Sequence, residues 1–141
     1  MDFSTSFKIC SSGLAAQRRK MDIIATNLAN VDTTRTAEGG PYKRQVVVLD
    51  SEPVAESFGD SYTEALKRVA VSGVVRDETA GKKIYDPGHP EANKQGFVEM
   101  PNVNTAVEMA DMIMTNRAYE ACVTAFDATK NMALKALELG K

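Results

Sequence analysis

Residues 3–31, FSTSFKICSSGLAAQRRKMDIIATNLANV, carry an apolar residue at alternating steps of four and three along their length. Such a heptad pattern predicts a helix that packs lengthwise against another helix. At the rise of an α-helix the segment is roughly 43 Å long. Asn30 and Asp32 predict where the helix ends. The seam consists of Phe3, Phe7, Cys10, Leu14, Gln17, Met21, Ile24, Leu28 and Val31.

The other end of the chain predicts a second long helix. Pro101 and Asn102 break the preceding strand, and Thr105–Glu108 fits a capping box at the start of the helix. Gly140 is predicted to terminate the helix. Its seam consists of Met109, Met112, Asn116, Tyr119, Val123, Phe126, Lys130, Ala133 and Leu137. A further apolar row lies beside this seam and consists of Ala110, Ile113, Met114, Ala118, Ala121, Ala125, Ala128 and Met132. An apolar face wider than one partner needs predicts more than one neighbour.

Polar residues and cysteines on the two seams bear on how the helices pair. Gln17 and Asn116 either fix the register or face solvent at the seam edge. If the helices are antiparallel, Cys10 and Cys122 are offset by roughly 6 Å along the axis, so we expect two free thiols.

The middle of the chain changes to short β-branched or aromatic runs, at Gln45–Leu49, Val69–Arg76, Lys83–Tyr85 and Phe97–Met100. Asp77–Gly81 reads as a hairpin connection between two of these strands, and Asp50–Thr63 as a loop. The region has too few apolar positions for a large core, so we expect a small β element that leans on the helices or on neighbouring subunits.

These patterns predict a mainly α fold with a small β region, in which the terminal helices form a coiled-coil hairpin. We expect three segments: residues 1–33 as the first helix of the core domain, 34–101 as a linker with small β-hairpins, and 102–141 as the second helix.

Charge and motif content bound the function. The formal charge of −2 gives no basic field for nucleic acid, and Arg18–Lys20 is better explained as a solvated helix face than as a phosphate site. No apolar run is long enough to insert in a membrane, and the amino terminus lacks the features of a cleaved signal peptide. His89, flanked by Asp86 and Glu91, fits a turn residue better than a ligand or base. We therefore predict no enzyme activity, with no catalytic, cofactor-binding or metal-binding residues.

Motifs at both ends and in the middle resemble the bacterial flagellar rod and hook family. Asn27–Asn30 and Tyr42–Arg44 resemble the family's amino-terminal signature, separated here by an insertion from Thr34 to Gly40. Tyr85–Pro90 and Val98–Asn104 are similar to a proximal-rod branch of the family. The positions that carry the match are Asn27, Asn30, Gly40, Tyr42, Asn102, Asn104, Glu108, Arg117, Tyr119 and Glu120.

The resemblance implies a structural subunit of the basal-body proximal rod, a helical tube in the periplasm that transmits torque and encloses the export channel. It implies uncleaved export through the flagellar type III apparatus, for which Phe3 and Phe7 match the family's early signal. It also implies assembly with further copies and with the rod proteins FlgB and FlgF, the adaptor FliE and, as a further candidate, the distal rod protein FlgG.

The residues themselves leave one alternative, a coiled-coil adaptor or type III secreted helical protein that binds a partner. If the chain is a rod subunit, we predict that it assembles through the helix seams. This interface consists of Phe3, Phe7, Leu14, Met21, Ile24, Leu28, Val31, Met109, Met112, Tyr119, Val123, Phe126 and Leu137. We expect the termini to order fully only when several copies complete the core.

Overall fold

The first helix of the structure, α1, runs from Phe3 to Ala29, close to the predicted bounds. The structure is a computed structural model and describes residues 3–54 and 66–139. The helix ends where expected: the side-chain amide of Asn30 donates to the carbonyl oxygen of Thr26 (2.9 Å), and the backbone N–H of Val31 turns to the carbonyl of Leu28, three residues back (3.4 Å). Val31, predicted on the seam, therefore lies just beyond the helix.

The second helix, α2, runs from Thr105 to Leu139. Its cap differs from the prediction: Asn104 Oδ1 accepts hydrogen bonds from the backbone N–H groups of Ala106 (3.0 Å) and Val107 (3.4 Å). The capping-box interpretation of Thr105–Glu108 is wrong, because the Glu108 carboxylate points away from the helix end into buried contacts. The predicted terminator, Gly140, lies outside the described residues.

The two helices pack side by side and antiparallel, as expected. Phe7 and Phe126 meet edge to face with ring centroids 5.0 Å apart. A methyl group at Gly13 would lie 3.4 Å from Cys122 Sγ, and Asn27 contacts Glu108. Residue numbers thus rise along α1 as they fall along α2. Cys10 and Cys122 are both half-buried free thiols, which agrees with the prediction.

Four strands form two separate two-stranded antiparallel sheets. Strand β1 (Gln45–Pro53) pairs with β2 (Lys67–Arg76), with a bulge at Val48/Leu49. Strand β3 (Lys83–Tyr85) pairs with β4 (Phe97–Glu99). All four predicted strands are present.

The strand connections differ from the prediction in two respects. Residues 77–81 link β2 to β3, which belong to different sheets, so the predicted hairpin there is wrong. The predicted loop from Asp50 begins too early, since β1 continues to Pro53. The rest of that loop, residues 55–63, lies outside the described residues.

Helix α1 is the central element, because α2 packs on one of its sides and the β1/β2 hairpin on another. Ser12 Oγ accepts a hydrogen bond from the backbone N–H of Val69 in β2 (3.2 Å). Ala16 and Ile23 follow Ser12 at four and eleven residues, which places them on the same helix face, and both are buried. As predicted, the β region leans on a helix.

Candidate functional site

A buried cluster of polar side chains ties the ends of α1, β1 and α2 together; we call it the polar junction. Its centre is Asn27, only 1% exposed. The Asn27 side-chain amide donates to Glu108 Oε2 (3.0 Å) and to the carbonyl oxygen of Gln45 (2.9 Å). Its Oδ1 accepts from the Tyr42 hydroxyl and from the backbone N–H of Gln45, each at 2.9 Å. The junction consists of Asn27, Tyr42, Arg44, Asn102 and Glu108.

Charged groups complete the polar junction on the α2 side. Glu108 is fully buried, and Arg44 Nε donates to its Oε1 at 2.6 Å. A second guanidinium nitrogen of Arg44 reaches Asp111 Oδ2 at 3.4 Å. A buried carboxylate needs such a partner, because an unpaired charge there would be strongly destabilising.

Asn102 fixes the segment between the two sheets to the polar junction. Its Oδ1 accepts from the backbone N–H of Arg44 (2.7 Å), and its amide donates to the carbonyl oxygens of Asp77 (2.9 Å) and Thr79 (3.0 Å). The Asp77 carboxylate in turn accepts hydrogen bonds from Thr79, which lower its pKa. One side chain thereby fixes both β1 and the 77–79 turn.

A tight turn in the linker returns the chain to α1. Gly39 and Gly40 have φ of 89° and 76°, a conformation that favours glycine, and the Gly40 carbonyl accepts from the Thr36 backbone N–H (2.9 Å). Tyr42 then donates its backbone N–H to the carbonyl of Thr33 (3.0 Å). Burial raises the pKa of the Tyr42 hydroxyl, and the nearby Glu108 carboxylate raises it further.

The arrangement is suited to holding elements together. Every buried side-chain nitrogen or oxygen among the described residues has a hydrogen-bond partner. His89 behaves as a turn residue, since its Nδ1 accepts the backbone N–H of Glu91 (3.1 Å). Within residues 3–54 and 66–139 no group of three His, Cys, Asp or Glu residues could hold a metal ion, and neither helix is long and apolar enough to span a bilayer.

The face that α2 turns toward α1, the inner seam, includes polar residues that the heptad analysis passed over. Thr115 and Thr129 are 2% and 7% exposed, and each hydroxyl donates to the carbonyl four residues earlier. The inner seam consists of Glu108, Met112, Thr115, Tyr119, Cys122, Phe126, Thr129 and Ala133, all buried or half-buried.

The predicted seam residues divide between this contact and the surface. On α1, Ile24 is buried, Phe3 is 41% exposed, and four are half-buried: Phe7, Leu14, Met21 and Leu28; Val31, just beyond the helix, is also half-buried. On α2, Met112, Tyr119 and Phe126 belong to the inner seam, whereas Met109, Val123 and Leu137 are exposed. The last three lie outside the inner seam, and their part in assembly stays a prediction.

The opposite side of α2 presents an apolar surface without a partner among the described residues. This outer row consists of Ala110, Met114, Arg117, Ala121, Ala125, Ala128 and Met132, all exposed. Met114 is 69% and Met132 57% exposed. From Ala110 to Met132 the row is about 33 Å long.

Helix α1 also keeps one side uncovered. Its free stripe consists of Lys8, Ser11, Ala15, Arg18, Asp22, Ala25 and Ala29, all exposed and spaced by alternating steps of three and four. The stripe is built mostly of small side chains, so another helix could approach closely along it.

At its carboxyl end α2 extends beyond α1. The contacts of Phe7 with Phe126 and of Gly13 with Cys122 place the start of α1 near residue 131 of α2. The remaining overhang, residues 132–139, is about two turns long. Leu134, Leu137 and Leu139 on it are 50%, 72% and 89% exposed.

The family-motif residues have different positions in the structure. Asn27, Tyr42, Asn102 and Glu108, from four separate segments, meet in the polar junction. Asn30 and Asn104 close helix ends, Gly40 forms the linker turn, and Tyr119 lies on the inner seam; Arg117 and Glu120 face outward. Arg44 was not singled out by the sequence analysis, although it lies inside the Tyr42–Arg44 motif.

Two family models match this chain. Residues 7–35 match the model described as flagella basal body rod protein, and residues 94–139 match the C-terminal model of flagellar basal body rod FlgEFG protein. The chain is also similar over nearly its whole length to proteins named flagellar basal-body rod protein FlgC. Identity is 42% to that of Bacillus subtilis, covering 96% of this chain and 97% of the relative. It is 38% to that of Borreliella burgdorferi (99% and 98% covered) and 35% to that of Salmonella typhimurium (96% of each).

Proposed function

The chain belongs to the FlgC family of flagellar basal-body rod proteins, and we propose that it builds the proximal rod through the uncovered apolar faces of its terminal helices. It is a structural, non-enzymatic subunit of the basal-body rod, a family role that involves assembly with other rod proteins. Family membership replaces the alternative of an unrelated coiled-coil adaptor.

The observation that carries the proposal is the outer row of α2 together with the overhang. Large apolar side chains such as Met114 and Leu137 are 69% and 72% exposed, although α2 is fully helical around them. Contiguous apolar surface of this kind marks an interaction site. The described core is small: apart from half-buried residues, its apolar members are Ala16, Ile23, Ile24, Tyr42 and Val98.

The helices and the small sheets have different roles in this proposal. Residues 1–33 and 102–141 supply the helices that form the tube wall and enclose the channel, and residues 34–101 carry the small sheets. The polar junction fixes the sheets to the helices, so that torque applied to one part is passed to the other. Further copies, FlgB, FlgF, FliE and FlgG are the neighbours that we propose.

Export by the flagellar type III apparatus without cleavage is part of the same proposal. Phe3 is 41% exposed, so it is accessible to a receptor, whereas Phe7 packs on Phe126. Phe3→Ala should therefore lower the secreted amount while leaving the melting temperature of the purified chain unchanged. A Phe7 substitution would change both.

Assembly is tested by placing a charge on the outer row. Met114→Glu and Met132→Glu should leave the purified monomer helical but prevent its incorporation into basal bodies, because a carboxylate cannot be buried there without a partner. Gln95→Glu adds the same charge in the exposed turn before β4 and serves as the control. Normal rods from both methionine variants would contradict the proposal.

A further inference from the structure

Four charged side chains near the middle of the uncovered helix faces lack an ion-pair partner within residues 3–54 and 66–139. Arg18 and Asp22 lie on the free stripe of α1, Arg117 on the outer row of α2, and Glu120 at its edge. All four are exposed. Glu120 accepts a hydrogen bond from Asn116 (2.9 Å), its neighbour one turn earlier. The middle of the two faces therefore offers two positive and two negative charges to a neighbour, and Lys8 adds a positive charge nearer the start of the free stripe.

The spacing of these charges selects one relative direction of the helices. Arg18 and Asp22 are about 6 Å apart along α1, and Arg117 and Glu120 about 4.5 Å apart along α2. In an antiparallel contact with Asp22 opposite Arg117, Arg18 comes opposite Ala121, beside Glu120. Both pairs are then satisfied at once.

A parallel contact leaves charges unmatched. With Asp22 opposite Arg117, Arg18 would face Ile113, and Glu120 would have no cation opposite it. With Arg18 opposite Glu120 instead, Asp22 would face Thr124. Only the antiparallel direction brings opposite charges together in both pairs.

The same antiparallel register aligns the two faces along their whole length. With Asp22 opposite Arg117, Ala29 lies opposite Ala110 and Ala25 opposite Met114. Towards the other end, Ser11 lies opposite Ala128. Small residues thus face small residues or a methionine, which permits a helix separation of about 8–10 Å.

We propose that the outer row of α2 in one copy binds the free stripe of α1 in a second copy, antiparallel, with Asp22 facing Arg117 and Arg18 facing Glu120. This inference rests on the proposed assembly into a rod and names the surfaces that meet. The two surfaces differ, so a bound pair retains one free stripe on the first copy and one free outer row on the second. Such a contact is heterologous and can add further copies, as a ring if the rotation closes and as an open helix if it does not.

Charge reversal tests the pairing. Arg18→Glu and Glu120→Arg each place like charges opposite each other, and each should lower incorporation into basal bodies by about tenfold or more, since like-charge contacts cost several kcal/mol. The double variant restores opposite charges and should recover incorporation. Lys94→Glu, in the exposed turn between β3 and β4, is the control and should assemble normally.

Two results would overturn the pairing. In one, both single variants enter basal bodies as well as the unchanged chain. In the other, the double variant remains as poor as the singles, which means that the two faces meet other subunits. Circular dichroism of each purified variant checks that the monomer is still folded, as expected for changes at exposed positions.

Cysteine cross-linking tests the register directly. In a background with Cys10→Ala and Cys122→Ala, the pair Ala25→Cys and Met114→Cys should give, on oxidation of assembled rods, a ladder of dimers, trimers and larger species. A disulfide requires the two Cα atoms to be within about 7 Å. The control pair, Ala15→Cys with Met114→Cys, is out of register by about 15 Å and should not cross-link.

The cross-linking outcomes separate this inference from the proposed function. Dimers alone would indicate a closed pair, and no cross-link would indicate different neighbours; either overturns the inference while the chain is still a rod subunit. If the unchanged chain fails to enter basal bodies at all, the proposed function itself is wrong.

Discussion

At the scale of single residues, Glu108 joins the two helices to β1. Its two carboxylate oxygens accept hydrogen bonds from Asn27 and Arg44, which come from α1 and from the residue before β1. The carboxylate is fully buried, whereas Arg44 remains about one quarter exposed. Removal of the acid therefore leaves a cation that water can partly solvate, and this moderates the cost.

Glu108→Ala should lower the free energy of unfolding by about 2–3 kcal/mol, because Arg44 loses its buried partner and Asn27 loses one acceptor. Urea denaturation of the purified chain measures the change. Asp127→Ala, an exposed acid on the same helix without an ion pair among the described residues, should change stability by less than about 0.5 kcal/mol. Equal effects of the two substitutions would contradict the role of the polar junction.

Tyr42→Phe should cost about 1 kcal/mol near neutral pH, since the hydroxyl donates to Asn27 Oδ1 in a buried setting. Burial raises the pKa of Tyr42 above its ordinary value of 10.0, so the folded state favours the protonated hydroxyl. That contribution is complete below pH 10 and is lost as the pH rises through the folded-state pKa. The stability difference between the two proteins should therefore shrink above pH 10; a constant difference would exclude the coupling.

The sequence identified most residues of the polar junction, but it did not show the contacts that they make with one another. Asn27, Tyr42, Asn102 and Glu108 were all singled out by the family resemblance, but their meeting depends on contacts across as many as 81 residues of chain. Glu108 also fitted a local capping box, and a local pattern cannot show that a distant arginine offers a better partner. Thr115 and Thr129 were not predicted on the seam, because they are polar. Each hydroxyl donates to a backbone carbonyl of its own helix, and this hydrogen bond makes a polar residue compatible with the seam.

At the scale of elements, the lengths of α1 and α2 were predictable from periodicity, because heptad spacing extends through nearly all of each helix. The four strands were predictable from β-branched runs. Their pairing was not, since residues 77–81 have the composition of a hairpin turn and nothing local shows that they connect two sheets. In the structure, Gly81 at the end of this segment lies against Met100, the residue after β4. A methyl group on Gly81 would lie 1.7 Å from the Met100 carbonyl oxygen.

The overhang of α2 should be the least protected part of that helix in the isolated chain. Residues 132–139 lack the support of α1, and short helical segments without packing are marginal in water. Hydrogen exchange should show fast exchange of their amides in the monomer and slow exchange in isolated basal bodies. Residues 108–122 of the same helix provide the internal reference and should be protected in both. An overhang already protected in the monomer would mean that it needs no neighbour.

At the scale of the whole molecule, folding and assembly use different faces of the same helices. Leu28 is half-buried and follows Asn27 of the polar junction, whereas Val123 is 37% exposed beside the inner seam. The sequence placed each residue on the seam of its own helix, because periodicity reports an apolar face without showing which neighbour covers it. Only the packed chain distinguishes the internal contact from the surface left for other subunits.

Leu28→Glu and Val123→Glu should consequently differ. The first should destabilise the monomer by about 2 kcal/mol, because it places a carboxylate in the helix contact; the second should change monomer stability by less than about 0.5 kcal/mol. Both should impair rod formation, which is scored by motility and by purified basal bodies. If Val123→Glu forms normal rods, that side of α2 is not an interface.

The unequal ends of α1 and α2 have a mechanical consequence. Since the second helix outlasts the first by about two turns, the ends of one copy do not fall in a single plane. If copies assemble as we propose, a neighbour that ends level with α1 leaves residues 132–139 projecting past the contact, where a further copy can pack on Leu134, Leu137 and Leu139. A continuous helix would then span the joint between two copies and resist their separation along the helix axis.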